Sequence, residues 1–264
     1  MFWVLVILWI PMKAYFFLII SLMTFLTTSS LADLHRGFEQ LLSEHVKGAS
    51  VDYKGLNRKV GKLDDYLKKL KKVTISELNK NEVMALYINS YNACTLKLIL
   101  NHYPIDSIND ISISKRWKWK GWNIAGETLS LDEIEHVKLR PMGDPRIHFV
   151  INCASVSCPV LLPEAIVATK LNHQLDRATK SFLNDELRGM TLKESSSFLG
   201  FDGEKKVHVS KIFSWFGSDF VKAEGSVSKF IKNHVQGKNA AIVKDLDSDN
   251  DLSYLDYDWN LNAK

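Results

Sequence analysis

An almost unbroken apolar run, VMALYINSYNACTLKLIL, extends from Val83 to Leu100 in the first half of the chain and sets its architecture. Apolar side chains occupy every turn of this run, and Tyr103-Pro104 follows it. The pattern predicts a helix over Glu82 to His102 that ends before the proline. A helix that is apolar on nearly all sides is a buried helix, so we expect this one to be largely covered by the rest of the chain.

Two polar residues interrupt the apolar run. Asn89 and Asn92 are three positions apart, which places them on the same side of the helix. A buried amide that lacks hydrogen-bond partners costs a few kcal/mol. The two side chains must therefore either bind the backbone of neighbouring loops or line a polar binding site, and we keep both as candidate binding residues.

Hydrophobic periodicity and turn residues predict the other helices and strands. The pattern predicts amphipathic helices over residues 33–47 and 57–73, two short strands around Gly126, a capped helix from Leu131 to about Leu139, a strand over Ile147 to Asn152, a helix over about 163–187, a hairpin over Thr191 to Val209, and short helices after Ser210 and Ser226. No internal repeat or linker is visible. We therefore predict an α+β fold, a single mixed domain over 33–264 with helices packed around a small, mostly antiparallel sheet.

The amino terminus has the pattern of a secretion signal. Residues 1–32 carry one charged side chain, Lys13, which is followed by an apolar run from Ala14 to Phe25 and by the small-residue pattern Ser30-Leu31-Ala32. We expect Met12 to be the true start, cleavage to follow Ala32, and the mature chain to be periplasmic or secreted. The alternative is an uncleaved membrane anchor of about 20 residues, which would be the chain's contact with a membrane.

Composition excludes several classes of protein. Of 264 residues, 46% are hydrophobic and 24% are charged, which is typical of a globular protein. The net charge of +4 is too small to indicate nucleic-acid binding, and the lysines of residues 68–72 lack the interleaved aromatic residues of a nucleic-acid site. The acidic cluster around Asp249 resembles a calcium loop but has Leu252 where the turn needs glycine, so we expect a solvated turn and no metal site or cofactor.

Residues able to do chemistry are concentrated between positions 135 and 158. The segment contains Glu135, His136, Arg146, His148, Asn152, Cys153, Ser155 and Cys158. They lie on a predicted helix, a predicted strand and the loop that follows the strand, where functional sites tend to occur. In an ideal strand, His148 and Asn152 would face one side and Cys153 the other, so pairing Cys153 with His148 needs a bend.

Three interpretations of the two cysteines remain open. A disulfide between Cys153 and Cys158 fits an oxidising compartment and a short loop. A catalytic thiolate with His148 or His136 as base fits the logic of Cys-His hydrolases. A metal site with both histidines and one cysteine has suitable ligand types but not the short paired spacings of zinc motifs. Cys94, inside the apolar helix, is expected to be a core residue.

Several segments together resemble a known family. They are Tyr87-Ile88-Asn89-Ser90-Tyr91-Asn92-Ala93, Leu129-Ser130-Leu131-Asp132-Glu133-Ile134-Glu135-His136 with Leu139-Arg140, Pro145-Arg146-Ile147-His148-Phe149, Cys153-Ala154-Ser155 to Cys158-Pro159, and Tyr257-Asp258-Trp259. Jointly they resemble the domain-of-unknown-function 547 family, which occurs in exported bacterial proteins and in plant and animal proteins. The resemblance covers about Asn79 to Asn262 and implies no particular reaction.

The leading hypothesis from the sequence is thiol-dependent acyl transfer or amide hydrolysis on a small-molecule or peptide substrate. Cys153 or Cys158 would be the nucleophile and His148 or His136 the base, with Glu135 or Asn152 orienting the base. Arg146 or the loop amides after Cys153, including that of Ser155, would hold the substrate or its oxyanion. The competing hypothesis is a non-catalytic envelope module, with a disulfide in the loop and exposed tryptophans that contact a partner.

Overall fold

The long apolar helix is the centre of the structure. A computed structural model describes residue 31 and residues 33–194, 205–244 and 246–264. In it, helix α4 covers Lys80–His102 and is buried along most of its length. The Asn79 side chain accepts hydrogen bonds from the amides of Asn81 and Glu82, and the Glu82 carboxylate accepts one from the Asn79 amide, so the helix begins at a complete capping box. The predicted helix over Glu82 to His102 is confirmed.

The elements before α4 pack on one side of it. Helix α1 covers residues 33–45, strands β1 (Val46–Lys47) and β2 (Ser50–Val51) pair antiparallel, helix α2 covers Tyr53–Asn57, and helix α3 covers Val60–Leu70. Both predicted amphipathic helices are present, each shorter than predicted. Leu63 and Leu70 of α3 are fully buried in the same core as α4, which explains why its lysines face outward.

A short hairpin and an unusual helix follow. After helix α5 (Ile113–Arg116), strands β3 (Trp122–Ile124) and β4 (Glu127–Leu129) pair antiparallel around Gly126, as predicted. Ser130 and Glu133 form the predicted capping box of helix α6 (Leu131–Glu133). The helix then continues as a π-helix over Ile134–Leu139. π-Helical turns are rare in proteins, and those that occur are often found at functional sites.

The strand predicted over Ile147 to Asn152 is wrong. The chain forms a 3₁₀-helix over Pro145–Phe149 instead. Pro145 occupies its first position, and the Asp144 side chain accepts a hydrogen bond from the Arg146 amide, so the turn is capped. A short apolar run fits a buried helical turn as well as a strand.

The second half of the chain completes the core. Helix α7 covers Leu171–Leu183, shorter than the predicted 163–187. Strands β5 (Met190–Glu194) and β6 (Lys205–Val209) pair antiparallel as predicted, and the predicted Asp202-Gly203 turn lies outside the described residues. Helices α8 (Ile212–Trp215), α9 (Gly217–Glu224) and α10 (Val227–His234) follow. Strand β7 (Leu252–Tyr254) pairs parallel with β6.

The fold is therefore α+β, as predicted, but its centre is a helix. In the described residues the strands form three separate small sheets, so the expected arrangement of helices around one sheet is wrong. One hydrophobic core joins residues from Phe38 to Leu261. Of the predicted signal segment, only Leu31 is described. None of the described helices combines the length and apolar character needed to cross a membrane.

The end of the chain crosses back over the functional region. Leu261 pairs with Ser155, and Asn260 pairs with Ser107. The Tyr53 hydroxyl donates a hydrogen bond of 2.7 Å to the Asn262 side chain. These contacts fix the last ten residues, which the sequence pattern left without an assigned structure, against the loop that carries the cysteines.

Three buried asparagines bind the backbone of this loop and of the segment that follows it, two of them from the core helix. The Asn92 amide donates to the Val150 carbonyl at 2.8 Å, and its oxygen accepts from the Asn152 amide at 2.9 Å. Asn89 binds the Ile166 backbone in the same two-sided way, at 2.8 and 2.9 Å. Asn152 binds the Pro159 carbonyl and the Ala154 amide. Of the two possibilities for buried amides, the structure supports binding of loop backbone.

We predict that Asn92→Ala is strongly destabilising. The substitution leaves a buried backbone carbonyl and a buried amide without their partner, and each unsatisfied group costs about 1–3 kcal/mol. The free energy of unfolding, measured by urea denaturation, should fall by about 2–5 kcal/mol. Asn101→Ala on the exposed side of the same helix is the control and should change it by less than about 0.5 kcal/mol. Equal effects of the two substitutions would contradict this role of Asn92.

Candidate active site

The five residues predicted as catalytic line one cleft. Glu135, His136, His148, Cys153 and Cys158 surround a cavity of about 210 Å³, together with Asp132. The remaining wall is aromatic and apolar and consists of Tyr91, Trp117, Ile151, Ile212, Trp215, Phe216 and Trp259. The structure therefore brings together residues from α4, from the π-helix, from the 3₁₀-helix, from the cysteine loop, from α8 and from the end of the chain.

Cys153 is the sulfur best suited to act as a nucleophile. It is partly exposed, and its Sγ lies 3.0 Å from Ser155 Oγ and 3.2 Å from the Tyr257 hydroxyl. Burial raises the pKa of the thiol, but hydrogen bonds from Cys158, Ser155 and Tyr257 to the sulfur outweigh it and lower the pKa to about 6. The next residue, Ala154, has a φ of 63°, a conformation rare outside glycine and asparagine. This turn holds the sulfur at the cleft.

Cys158 has the opposite character. It is buried, and its Sγ accepts a hydrogen bond from the Cys153 amide at 2.9 Å. Burial and the neighbouring Cys153 raise the pKa of Cys158 well above its ordinary value, so it stays a neutral thiol. All three cysteines are free in the structure, and the Cys153–Cys158 disulfide considered above does not form in it. Cys94 is fully buried, as expected of a core residue.

His148 is a buried, oriented imidazole. Its Nε2 lies 2.9 Å from Asp219 Oδ2, and its ring stacks on Phe216 with centroids 4.1 Å apart. Since a carboxylate can only accept, Nε2 carries the proton and Nδ1 has the free lone pair. Nδ1 has no hydrogen-bond partner and lies 4.0 Å from Glu135 Oε1. Burial lowers the pKa of His148, although Asp219 opposes this, so the ring is neutral near pH 7.

Hydrogen bonds from Arg140 and His148 keep the Asp219 side chain ionised. Burial raises its pKa, but hydrogen bonds from His148 and Arg140 outweigh this and bring the pKa far below the ordinary range. Arg140 donates from Nε and Nη2 to the two carboxylate oxygens, at 2.7 and 2.8 Å. This bidentate pair fixes the carboxylate that orients His148.

Glu135 is partly protonated near neutral pH, unlike an ordinary glutamate. Burial raises its pKa to about 7, despite a hydrogen bond with Tyr91 that lowers it. It was predicted to orient the catalytic base, but the structure assigns that position to Asp219. Glu135 lies instead near Nδ1 of His148 and lines the cleft. In its protonated form its carboxyl group can donate a hydrogen bond into the cleft.

His136 lies at the rim of the cleft. Its Nδ1 accepts a hydrogen bond of 2.8 Å from Arg140, and its Nε2 lies 3.6 Å from Asp132. The lone pair that a base would use is therefore already occupied. Of the two histidines, His148 is the one that has an unpaired ring nitrogen and lines the same cleft as Cys153.

Four predicted binding residues do not reach the cleft. Asn89, Asn92 and Asn152 bind loop backbone as described above. Arg146 donates to Asp144 and to Asp176, at 2.6 Å each, and lines a different cavity. The predicted oxyanion site at the loop amides is also absent: the amides of residues 154 and 156–158 bond to other protein groups, and that of Ser155 to the Cys153 sulfur. Ser155 itself contacts the Cys153 sulfur through its hydroxyl.

Metal ligands are not clustered. Within residues 33–194, 205–244 and 246–264, no three His, Cys, Asp or Glu side chains are grouped so that they could hold a metal ion. In the acidic turn considered above, Asp249 accepts from the Val227 and Ser228 amides and caps α10. Asp251 accepts from the Asp247 and Ser248 amides.

Sequence reasoning missed three important residues. Asp219, Tyr257 and Trp215 contact the site from the last quarter of the chain. Asp219 had a local signal, since it is the only charged residue between Lys211 and Lys222, in a segment rich in phenylalanine. Tyr257 stood within a segment that resembled the family, but nothing nearby linked it to a cysteine.

Comparison with known proteins identifies the class of domain. Residues 75–183 match the model of a family described as "Protein of unknown function, DUF547". The chain thus carries a DUF547 family domain, in agreement with the resemblance noted from its motifs. The matched region contains α4, the π-helix and the cysteine loop, whereas Asp219, Tyr257 and Trp259 lie beyond it. The comparisons with curated proteins and with solved structures found no match.

We predict that Cys153 reacts as a thiolate in mildly acidic solution. Its rate of alkylation by iodoacetamide in the native protein should be half-maximal near pH 6, whereas an ordinary thiol titrates at about 8.5. Tyr257→Phe removes one hydrogen bond to the sulfur and should raise the midpoint by about one pH unit. Cys94, which is buried, is the internal control and should react only after denaturation. A wild-type midpoint near 8.5 would contradict the assignment.

Proposed function

We propose that this protein is a cysteine-dependent acyl-transfer enzyme that hydrolyses an amide or ester, with Cys153 as nucleophile and His148 as general base and acid. The observation that carries the proposal is the pairing of two features in one cleft. One is a partly exposed thiol with a lowered pKa, and the other is a neutral buried imidazole whose Nδ1 is free and whose Nε2 is bound to Asp219. Nucleophile, base and orienting carboxylate are the three parts that such catalysis needs.

Acylation proceeds through a thioester. When the Cys153 thiol ionises, its proton passes to Nδ1 of His148, and the sulfur attacks the carbonyl carbon. The carbonyl electron pair moves to oxygen, and the protonated Glu135 is the donor placed to stabilise this charge. The intermediate then collapses, the bond to the leaving nitrogen or oxygen breaks, and the leaving group takes the proton from His148. The lowered pKa of His148 favours this second transfer.

Deacylation uses the same base. Nδ1 of His148 takes a proton from water, the hydroxide attacks the thioester carbon, and the carbon–sulfur bond breaks to restore Cys153. If another amine or alcohol takes the place of water, the result is acyl transfer. Asp219 keeps the imidazole in the required tautomer in both steps, and Arg140 keeps Asp219 in place.

We also propose that the chain is exported and acts in the periplasm or outside the cell. The support is the sequence pattern of residues 1–32, with Lys13, the apolar run and the small residues before Asp33. The mass of the intact purified protein shows at which residue the mature chain begins. A chain that begins at Asp33 agrees with cleavage after Ala32.

We predict that Cys153→Ala abolishes both labelling by an electrophilic probe and hydrolysis of p-nitrophenyl acetate. The substitution removes the nucleophile but little packing, so the thermal midpoint should change by less than about 3 °C. Cys158→Ala is the matched control from the same loop. It should keep the labelling, with a raised Cys153 pKa, because it removes a donor to the reactive sulfur.

The count of free thiols separates this proposal from its alternative, a binding module with a disulfide. Alkylation under denaturing, non-reducing conditions should modify three cysteines. Modification of one would mean that two are bridged, and loss of labelling in Cys158→Ala but not in Cys153→Ala would reverse the assignment of the nucleophile.

We predict different roles for the two histidines of the cleft. His148→Ala should lower the rate of deacylation about 10²–10⁴-fold, the usual contribution of a general base, because Nδ1 takes the proton from the attacking water. His136→Ala should lower it less than tenfold, since Nδ1 of that ring is bound by Arg140. The steady-state release of p-nitrophenol that follows the initial burst measures the deacylation rate. A larger loss in His136→Ala than in His148→Ala would show that the base has been assigned to the wrong ring.

A further inference from the structure

One wall of the cleft is an aromatic stack that reaches from solvent to the reactive sulfur. The Trp215 ring lies 5.7 Å from that of Trp259 and 4.8 Å from that of Tyr257. The Tyr257 hydroxyl in turn lies 3.2 Å from Cys153 Sγ. Trp215 is 46% exposed although it is a large apolar residue. A group bound against the two tryptophans would therefore lie next to the bond that Cys153 attacks.

The cleft is lined by carboxyl groups and not, in the part of the chain that the structure describes, by lysine or arginine side chains. The described residues that line it include two acidic residues, Asp132 and Glu135, and no lysine or arginine. Two guanidinium groups stand behind the lining, and both are bound by other groups. That of Arg140 lies over the Phe216 ring and is bound to Asp219 and His136. That of Arg116 lies over the Trp117 ring and donates to the Ile108 carbonyl and the Asn109 side chain. An incoming carboxylate would find no lysine or arginine among the described lining residues and would lose its hydration, which is costly in a partly closed site.

We propose that the acyl donor carries an uncharged aromatic or large apolar side chain beside the scissile carbonyl, bound against Trp215 and Trp259, and that a carboxylate at this position is excluded. The inference rests on the proposed function and specifies its substrate class. Stacking and burial of apolar surface would supply the affinity.

A carbohydrate ring is the other ligand that stacks on tryptophan, but the opposite wall does not favour it. Sugar hydroxyls need polar side chains with free donors or acceptors. Glu135 is bound to Tyr91, and His136 is bound to Arg140. The cleft thus offers aromatic surface on one side, whereas on the other side Glu135 and His136 are already paired and the free Nδ1 of His148 is the base of the proposed reaction.

The test compares four acetyl-amino acid chloromethyl ketones, those of phenylalanine, glycine, asparagine and aspartate. Their second-order rates of Cys153 modification are followed by intact mass at about pH 7, and each is divided by the iodoacetamide rate of the same protein. We expect phenylalanine to exceed glycine by about 10- to 100-fold, because an aromatic side chain becomes buried. Asparagine should exceed aspartate, its charged counterpart of equal size, by at least about tenfold.

Two tryptophan variants with matched exposure test the position of the subsite. Trp215→Ala should reduce the phenylalanine-to-glycine ratio to below about 3. Trp119, which is 45% exposed but lies outside the cleft, is the control, and Trp119→Ala should keep the ratio of the wild type.

The outcomes separate this inference from the proposed function. A phenylalanine-to-glycine ratio near 1, an unchanged ratio in Trp215→Ala, or aspartate as fast as asparagine would overturn the substrate class while leaving Cys153 as the nucleophile. Protection of Cys153 from iodoacetamide by chitotriose, with a ratio near 1, would assign the stack to a carbohydrate instead. If neither iodoacetamide nor the ketones modify Cys153, both proposals fail.

Discussion

The two-sided hydrogen bonding of the Asn92 side chain is the constraint on which the site depends. The loop that carries the cysteines has no sheet or helix of its own to satisfy its backbone, so its polar groups need partners from elsewhere. Asn92 provides them from the middle of the most buried helix, and Asn89 does the same for the next segment. An irregular loop is in this way held as firmly as a regular element, and a firmly held loop can keep a reactive sulfur at a defined position.

The loop also gives its two cysteines, Cys153 and Cys158, opposite tendencies to ionise. Cys153 receives hydrogen bonds from three neighbours, which favour its anion, whereas Cys158 is enclosed and gives up its own hydrogen bond to that anion. The second thiolate would stand next to the first and in a region of low polarity, so only one of the two ionises readily. A similar division applies to the acids: Asp219 is stabilised as an anion by Arg140, and Glu135, with no cation bonded to it, takes up a proton at a pKa of about 7.

Local signals predicted much of the fold and the position of the cleft. The apolar run of α4, the capping box at Ser130 and the hairpin at Gly126 are each read from a few neighbouring residues, and each is present. The segment Ile147 to Asn152 was predicted wrongly because six apolar-rich residues suit a strand or a buried turn equally, and the Asp144-Pro145 cap decides between them. The orienting partner of His148 lies 71 positions away, and no rule of spacing connects residues so far apart. Arg146 looked available in the sequence only because pairing with Asp144 and Asp176 is a matter of three-dimensional position.

The contacts of the last residues imply an order of events during synthesis. Tyr257 contributes a hydrogen bond that makes the Cys153 sulfur acidic, and Trp259 closes one wall of the cleft, yet both leave the ribosome more than a hundred residues after the cysteine they act on. While the chain is still growing, Cys153 is an ordinary thiol in an unfinished loop. The Tyr257 hydrogen bond to its sulfur forms only when the last residues have crossed over the loop, so we expect the Cys153 thiol to be less acidic in a nascent or truncated chain than in the finished fold.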